Sequence, residues 1–274
     1  MGTSGAYSGS GGKFGDMIRD EVDEWITALP SGGPQTETPA SPDPPEVGER
    51  PTSPPPPRLD PTALLPVLNL LRPRGSGGGG ADGPGGGSAG DGYSGGGRRG
   101  GGPTRSVVGS AGTAGRAAAG AYAYRTGDSA TLDRLGLSYA DLSALGDPIE
   151  VARRVVDAAC GRTDSTIEDH EQRLIAADIA EWVLTENPAG SPPDPEDIVR
   201  YTIARIIGDT VLSESGEIIN NSDHAGVAEQ EVRDAAEALA ARAELSSTGA
   251  SETEFADAIE RGIETLRAIV EAGR

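Results

Sequence analysis

The chain has 274 residues, of which 41 are glycine and 21 are proline, and its formal net charge at pH 7 is −20. Aromatic residues make up only 4% of it, so the core must be aliphatic and alanine-rich, which favours closely packed helices over a β-sandwich. A single cysteine excludes an intramolecular disulfide framework and is typical of a reducing compartment.

The negative charge is concentrated in the second half of the chain. Residues 126–274 carry 12 Lys+Arg against 31 Asp+Glu, a net charge of −19. A surface of this kind repels phosphate backbones. We therefore expect no direct nucleic-acid binding by the helical domain.

The first segment, residues 1–15, contains six glycines among mostly small and polar residues. Ordering it would cost backbone entropy with almost nothing to bury, so we expect a flexible Gly/Ser-rich N-terminus. Its Met1-Gly2 start suggests N-myristoylation, but that motif requires Ser or Thr at position six, where this chain has Ala6.

Residues 16–29 are predicted to form a short amphipathic helix, with Asp16 as its cap and Pro30 after its end. One apolar stripe runs along this helix: Ile18, Val22, Trp25, Ile26 and Leu29. Because a lone helix of this length is marginal in water, the stripe must dock, either on a partner protein or on the C-terminal domain. These five residues are our candidate partner-binding residues, with both docking sites open.

Residues 30–103 are predicted to be a Pro/Gly-rich disordered linker. Within it, residues 61–71 form a short leucine-rich island, which is a second candidate docking element. If the whole linker is coil, its ends lie about 50 Å apart. The N-terminus would then hang from the domain on a long tether.

From residue 104 to residue 274 the apolar residues recur at helical spacing, without an alternating strand pattern. The predicted helices cover 107–124, two short pieces within 132–145, 148–160, 166–187, 194–212, 224–245 and 251–272. The sequence therefore predicts an all-α protein, in which a long disordered Gly/Pro-rich N-terminal region with one or two short helices precedes an acidic C-terminal helical bundle.

The residue types that carry most catalysis and metal binding are sparse. His170 and His224 lie on different predicted helices, and Cys160 is near a helix end, so no metal-ligand spacing exists. We expect a protein that is not an enzyme, with no catalytic residue, no metal and no cofactor. No secretory or membrane-spanning stretch is present in the sequence, so we expect a soluble cytoplasmic protein without a membrane partner.

The N-terminal amine is the one reactive group that we single out. An α-amine has a pKa of about 7.7–8.0, whereas that of lysine is about 10.4, so far more of it is a neutral nucleophile near neutral pH. Once Met1 is removed, Gly2 carries this amine. The alternative is an ordinary frayed terminus, and physical chemistry by itself favours that alternative.

The order of the segments resembles the QatB family, a component of the four-gene Qat anti-phage defence system. The matching segments are residues 1–4, T-R-S-V-V-G-S-A-G-T-A-G-R (104–116), L-D-R-L-G-L (132–137), I-E-V-A-R-R-V-V-D-A-A-C-G (149–161) and I-V-R-Y-T-I-A-R-I-I (198–207). The resemblance implies three partners: a QueC-like enzyme (QatC), a predicted P-loop ATPase (QatA) and a TatD-like nuclease (QatD).

A QueC-like partner would give the amine of Gly2 a role. QueC activates a carboxy-deazaguanine with ATP for attack by ammonia, and a relative that acts on a protein could use an N-terminal amine instead. The resemblance thus implies a non-enzymatic defence protein with Gly2 as its modification site and with a helical domain that docks the other subunits. The alternative function is a plain scaffold or adaptor without N-terminal modification.

Overall fold

The computed structural model describes residues 12–30, 57–72, 105–161, 167–187, 190–245 and 248–272. This part of the chain is all-α, as the sequence predicts. Its helices are α1 (Gly12–Ala28), a 3-10 helix (Pro61–Asn69), α2 (Val107–Thr126), α3 (Ser129–Arg134), α4 (Tyr139–Leu145), α5 (Pro148–Cys160), α6 (Ile167–Thr185), α7 (Pro195–Asn221), α8 (Ala225–Ala240) and α9 (Glu252–Ala272). Two short strands, β1 (Leu71–Arg72) and β2 (Arg105–Ser106), pair in parallel.

Two of the predicted helix starts are confirmed by their capping hydrogen bonds. Asp147 caps α5 by accepting a hydrogen bond of 3.0 Å from the backbone N–H of Ile149. At the start of α9, Ser251 and Glu254 form a capping box: each side chain accepts a hydrogen bond from the other residue's backbone N–H. The hydroxyl of Ser251 also donates a hydrogen bond to the Glu254 carboxylate. It is the largest of the effects that lower the pKa of the Glu254 carboxyl, and the backbone N–H of Ser251 is the next.

Helix α2 lies at the centre of the bundle, where it packs against α5, α6 and α9. Its small side chains permit close approach, and Ala117, Ala118 and Ala121 are fully buried. The tightest crossing is at Gly115, where a Cβ atom would lie 2.9 Å from both the backbone nitrogen of Ala256 and the carbonyl oxygen of Glu252. The alanine- and glycine-rich sequence of α2 is thus explained by packing.

Arg125, at the end of α2, caps the C-terminal end of α6. Its guanidinium group donates hydrogen bonds of 2.9–3.3 Å to five backbone carbonyl oxygens: those of Val183, Leu184, Glu186, Asn187 and Gly190. The last carbonyl groups of a helix have no partner within the helix. Arg125 supplies that partner and ties α2 to α6.

Helix α7 continues to Asn221, nine residues beyond the end that we predicted at residue 212. Polar residues follow residue 212 in the sequence, but the structure gives them partners. Ser215 donates a hydrogen bond to the carbonyl oxygen of Val211, and the buried Glu214 lies 3.6 Å from Nη1 of Arg19 on α1. The polar stretch therefore belongs to the helix.

The described segments share one hydrophobic core. Ile18 of α1 and Leu64 of the 3-10 helix are fully buried, as are Ile203 of α7 and Phe255 of α9. The sequence separated residues 16–29 and the linker 30–103 from the domain at 104–274, whereas the structure packs α1 and residues 57–72 with the later helices. Neither segment has enough apolar surface to fold by itself. The remaining parts of the predicted terminus and linker, residues 1–11, 31–56 and 73–104, lie outside the described residues.

Candidate functional site

The predicted modification site, Gly2, lies outside the described residues. The first described residue is Gly12, which is exposed and begins α1. We predicted that α1 begins four residues later, but its first turn has a packing role: Gly15 is buried, and a Cβ atom there would lie 2.8 Å from Oε2 of Glu214. Gly12 therefore marks where the segment that contains Gly2 joins the helical body.

The five candidate partner-binding residues of α1 pack against their own chain. All five side chains are at most 9% exposed: Ile18, Val22, Trp25, Ile26 and Leu29. Helix α1 lies against α7 and the 3-10 helix, and the indole Nε1 of Trp25 donates a hydrogen bond of 2.9 Å to the carbonyl oxygen of Pro57. Of the two docking sites that the sequence left open, the structure shows the one within the chain.

The second candidate docking element, residues 61–71, is also part of the core. Asp60 caps the 3-10 helix, accepting a hydrogen bond of 2.8 Å from the backbone N–H of Thr62. This hydrogen bond is the largest of the effects that lower the pKa of the Asp60 carboxyl. Leu64 and Leu68 are buried in the core, with α7, α8 and α9 against the 3-10 helix.

An open apolar groove of about 370 Å³ lies beside α1, between α1, the 3-10 helix, α8 and α9. We call it the α1 groove. Its apolar lining includes Met17, Leu65, Leu239, Leu266, Ile269 and Val270. Ile269 is 40% exposed, and the charged groups at the groove are those of Glu21 and Arg242. The groove is therefore lined mostly by apolar side chains and carries both charge signs.

A second groove, of about 570 Å³, runs between α6, α7 and α8. We call it the charged groove. Its charged lining consists of Glu171, Asp178, Glu181, Arg205, Asp209 and Arg233. Leu174 on α6 also lines it and is 54% exposed. The groove thus offers carboxylates, guanidinium groups and an apolar edge to a ligand.

Asp178 on α6 lines the charged groove and binds two side chains of α7. It forms an ion pair with Arg205 and accepts a hydrogen bond of 3.1 Å from the hydroxyl of Tyr201. The ring of Tyr201 stacks on Trp182, with the ring centroids 4.3 Å apart. Burial raises the pKa of Tyr201 well above its ordinary value, and the charge of Asp178 acts in the same direction. Tyr201 therefore stays protonated and serves as a hydrogen-bond donor.

Asp209 lies farther along the charged groove, one turn after Arg205 on α7. Burial raises the pKa of the Asp209 carboxyl, although the charges of Arg205 and Arg233 act in the opposite direction. Within the described ranges, the Nε of Arg233 is buried without a hydrogen-bond partner. This part of the groove therefore holds a buried guanidinium nitrogen without a hydrogen-bond partner and a carboxyl with a raised pKa, and both features are found at binding sites.

The charged groove has a signal in the sequence, in the spacing of polar residues on α6 and α7. Tyr201, Arg205 and Asp209 recur every four residues along a segment that is otherwise mostly apolar, which places them on one face of α7. Asp178 and Glu181 are similarly spaced on α6. Polar residues at this spacing indicate a solvated stripe on a largely buried helix, and Arg205 and Asp209 of that stripe line the groove.

Within the described part of the chain, no group of three or more His, Cys, Asp or Glu residues is placed to hold a metal ion. His170 is exposed on α6, whereas His224 precedes α8. Cys160 is half-buried, and burial raises the pKa of its thiol. Among the helices of the described ranges, none combines the length and the apolar character that crossing a membrane requires.

No protein-family model matches the chain, and no curated protein and no solved structure is similar enough to it to count as a match. The resemblance to the QatB family rests on sequence segments alone, namely residues 1–4, 104–116, 132–137, 149–161 and 198–207.

Proposed function

We propose that the chain is a non-enzymatic component of a QatB-like bacterial anti-phage defence system, in which the amine of Gly2 is conjugated by a QueC-like partner (QatC). In this proposal the protein acts in the cytoplasm. Its helical body docks the other subunits, a P-loop ATPase (QatA) and a TatD-like nuclease (QatD). Because the helical body is acidic and repels phosphate backbones, any contact with nucleic acid is made by these partners.

The observation that supports this proposal most is the burial of the apolar stripe of α1. Because α1 packs in the core, the segment before Gly12 is attached to the helical body directly at α1. Residues 30–103 therefore do not separate this segment from the body. Gly2 and Gly12 are ten positions apart in the sequence, and a fully extended chain of that length spans at most about 35 Å. The amine can therefore enter a pocket of another protein while the helical body stays outside it.

The proposed reaction is an ATP-dependent acylation of the amine. The partner first joins the carboxylate of a small molecule to the AMP moiety of ATP and releases pyrophosphate. The neutral amine of Gly2 then attacks the activated carbonyl carbon, so that a C–N amide bond forms, AMP leaves and the amine loses a proton. An α-amine suits this step because its pKa of about 7.7–8.0 leaves a substantial neutral fraction near pH 7.

Intact mass spectrometry after co-expression with the QueC-like partner tests the proposal. We expect a mass above that of the chain without Met1, and tandem spectra should locate the added mass on the peptide that contains Gly2. The matched control is the same chain expressed without the partner. A mass that does not change beyond the loss of Met1 would contradict the proposal.

The second candidate function is that of a scaffold or adaptor without N-terminal modification. The charged groove favours it, because exposed Leu174 among carboxylates and guanidinium groups offers a docking surface. Deletion of residues 2–8 separates the two functions, since it leaves Gly9 after Met1 and does not touch α1. An adaptor should still protect cells from phage with this deletion, whereas a conjugation substrate should lose protection because its amine no longer reaches the partner.

A further inference from the structure

We infer that the α1 groove is the docking site for the enzyme that modifies the amine of Gly2. This inference rests on the proposed function and names the surface that the modifying enzyme recognises. Three features of the described residues carry it: the position of the groove, its mostly apolar lining and the charges on α1 and at the groove.

The groove lies next to the point where the N-terminal segment joins the body. Met17 and Glu21 line it and follow Gly12 by five and nine residues on the same helix, which corresponds to about 7–14 Å along the helix axis. The segment before Gly12 spans up to about 35 Å. An enzyme bound in the groove would therefore have its active site within reach of the amine, at an effective concentration in the millimolar range.

The apolar lining of the groove is suited to an apolar side chain of a partner. Ile269 is one of few large apolar side chains of the described residues that are exposed, and Leu65 and Val270 line the groove with it. Exposed apolar surface with a polar rim is typical of protein interfaces. We expect the enzyme to insert an apolar residue here.

The exposed charges of α1 indicate which residues of the enzyme surround the apolar side chain that it inserts into the groove. Five carboxylates on α1 are exposed: Asp16, Asp20, Glu21, Asp23 and Glu24. A partner with Lys or Arg around its apolar contact would match this surface and would associate faster at low salt. The inferred partner surface therefore presents an apolar side chain to the groove, Lys or Arg toward the carboxylates of α1, and an acidic residue toward Arg242, which also lines the groove.

Two other occupants fit less well. A second copy of the chain would bring together two molecules with a formal net charge of −20 each, which repel each other. The chain's own residues 1–11 offer Tyr7 as their one aromatic side chain, and ordering a glycine-rich segment around a single side chain costs more backbone entropy than its burial recovers.

A matched pair of substitutions in the full chain tests the inference. Ile269→Glu places a charge in the groove, and Ile149→Glu places the same charge on α5, where Ile149 is 66% exposed. Because both positions are exposed, both variants should fold, which circular dichroism verifies. With the purified enzyme, we expect Ile269→Glu to weaken binding by tenfold or more and to lower the modification rate at low enzyme concentration, with recovery at high concentration. Ile149→Glu should stay within twofold of wild type.

The outcomes separate this inference from the proposed function. If the wild-type chain is modified and Ile269→Glu changes neither its dissociation constant nor its rate, the docking inference is overturned while the proposed function stands. If Ile269→Glu abolishes binding but the wild-type mass never changes, docking is supported and the proposed function fails.

If the groove binds a second copy of the chain or the chain's own residues 1–11, a different measurement changes in each case. A wild-type dimer that Ile269→Glu converts to a monomer, measured by light scattering, would assign the groove to a second copy and overturn the inference. Enzyme binding that tightens tenfold when residues 2–8 are deleted would assign the groove to the chain's own N-terminal segment, with the same consequence.

Discussion

The indole Nε1 of Trp25 donates a hydrogen bond of 2.9 Å to the carbonyl oxygen of Pro57, 32 residues later in the sequence. Trp25 belongs to α1, and Pro57 precedes the 3-10 helix. These two helices are the elements that the sequence marked as candidate docking elements. The hydrogen bond joins them to each other, and their apolar residues join them to the core, so α1 is a structural part of the helical body.

The packing of α1 predicts a large loss of stability on Ile18→Ala. Ile18 is fully buried, and replacing a buried isoleucine by alanine lowers the free energy of unfolding by about 2–5 kcal/mol. Urea unfolding followed by circular dichroism measures this change. Thr27→Ala is the control, because Thr27 is exposed on the same helix, and its effect should stay within about 0.5 kcal/mol. Equal stability of the two variants would mean that α1 does not pack on the body.

Two glycines of α2 should respond to alanine with opposite signs. At Gly115 a Cβ atom meets the backbone of α9 at 2.9 Å, whereas at Gly112 nothing lies within 4 Å of it. Gly115→Ala should therefore destabilise the protein by about 1–3 kcal/mol through overpacking, and Gly112→Ala should stabilise it by up to about 1 kcal/mol through helix propensity. Thermal unfolding of both variants measures the difference, and a change of the same sign in both would contradict the close crossing of α2 and α9.

The buried carboxyl of Asp209 predicts a pH dependence of stability. Its pKa is raised in the folded protein, so the folded state binds more protons than the unfolded state above the unfolded pKa of about 3.9. Stability from this group therefore decreases as the pH rises from that value through the folded pKa. Asp209→Asn removes the effect, and we expect the variant to be more stable than wild type at pH 7 and to lose this part of the pH dependence.

Urea unfolding between pH 4 and pH 7 measures this dependence. Asp257→Asn on α9 is the control, because Asp257 is exposed. If Asp209→Asn lowers stability at pH 7 by more than this control does, then the attraction of Arg205 and Arg233 for the Asp209 carboxylate outweighs the cost of its burial, and the predicted sign is wrong.

Much of the helical architecture could be predicted from local signals. The caps of Asp147 and Ser251 and the helical spacing of apolar residues gave the all-α class and the starts of α5 and α9. The association of α1 and residues 57–72 with the later helices could not be predicted, because it depends on contacts between residues far apart in the sequence. Trp25 shows this well: its stripe predicts docking, but nothing local identifies Pro57 as its hydrogen-bond partner.

The candidate site was less accessible from sequence than the fold. The charged groove arises from faces of α6, α7 and α8, and the spacing of Arg205 and Asp209 indicates a polar stripe without revealing what lies opposite. The α1 groove could not be predicted either, because Met17 and Ile269, which both line it, are far apart in the sequence. Periodicity places a residue on a face of a helix, and only the tertiary packing places that face in a groove.

The proposed modification of Gly2 is tested most directly by a paired reaction with purified components. The full chain and the variant without residues 2–8 are each incubated with the QueC-like enzyme, its carboxylate substrate and ATP, and their intact masses are recorded. Both begin with glycine once Met1 is removed, but the tether to Gly12 shortens from at most about 35 Å to about 10 Å. We expect the full chain to gain mass on Gly2 and the shortened chain to remain unchanged. A full chain whose mass stays unchanged would contradict the proposed function, and equal modification of both chains would contradict the role of the tether.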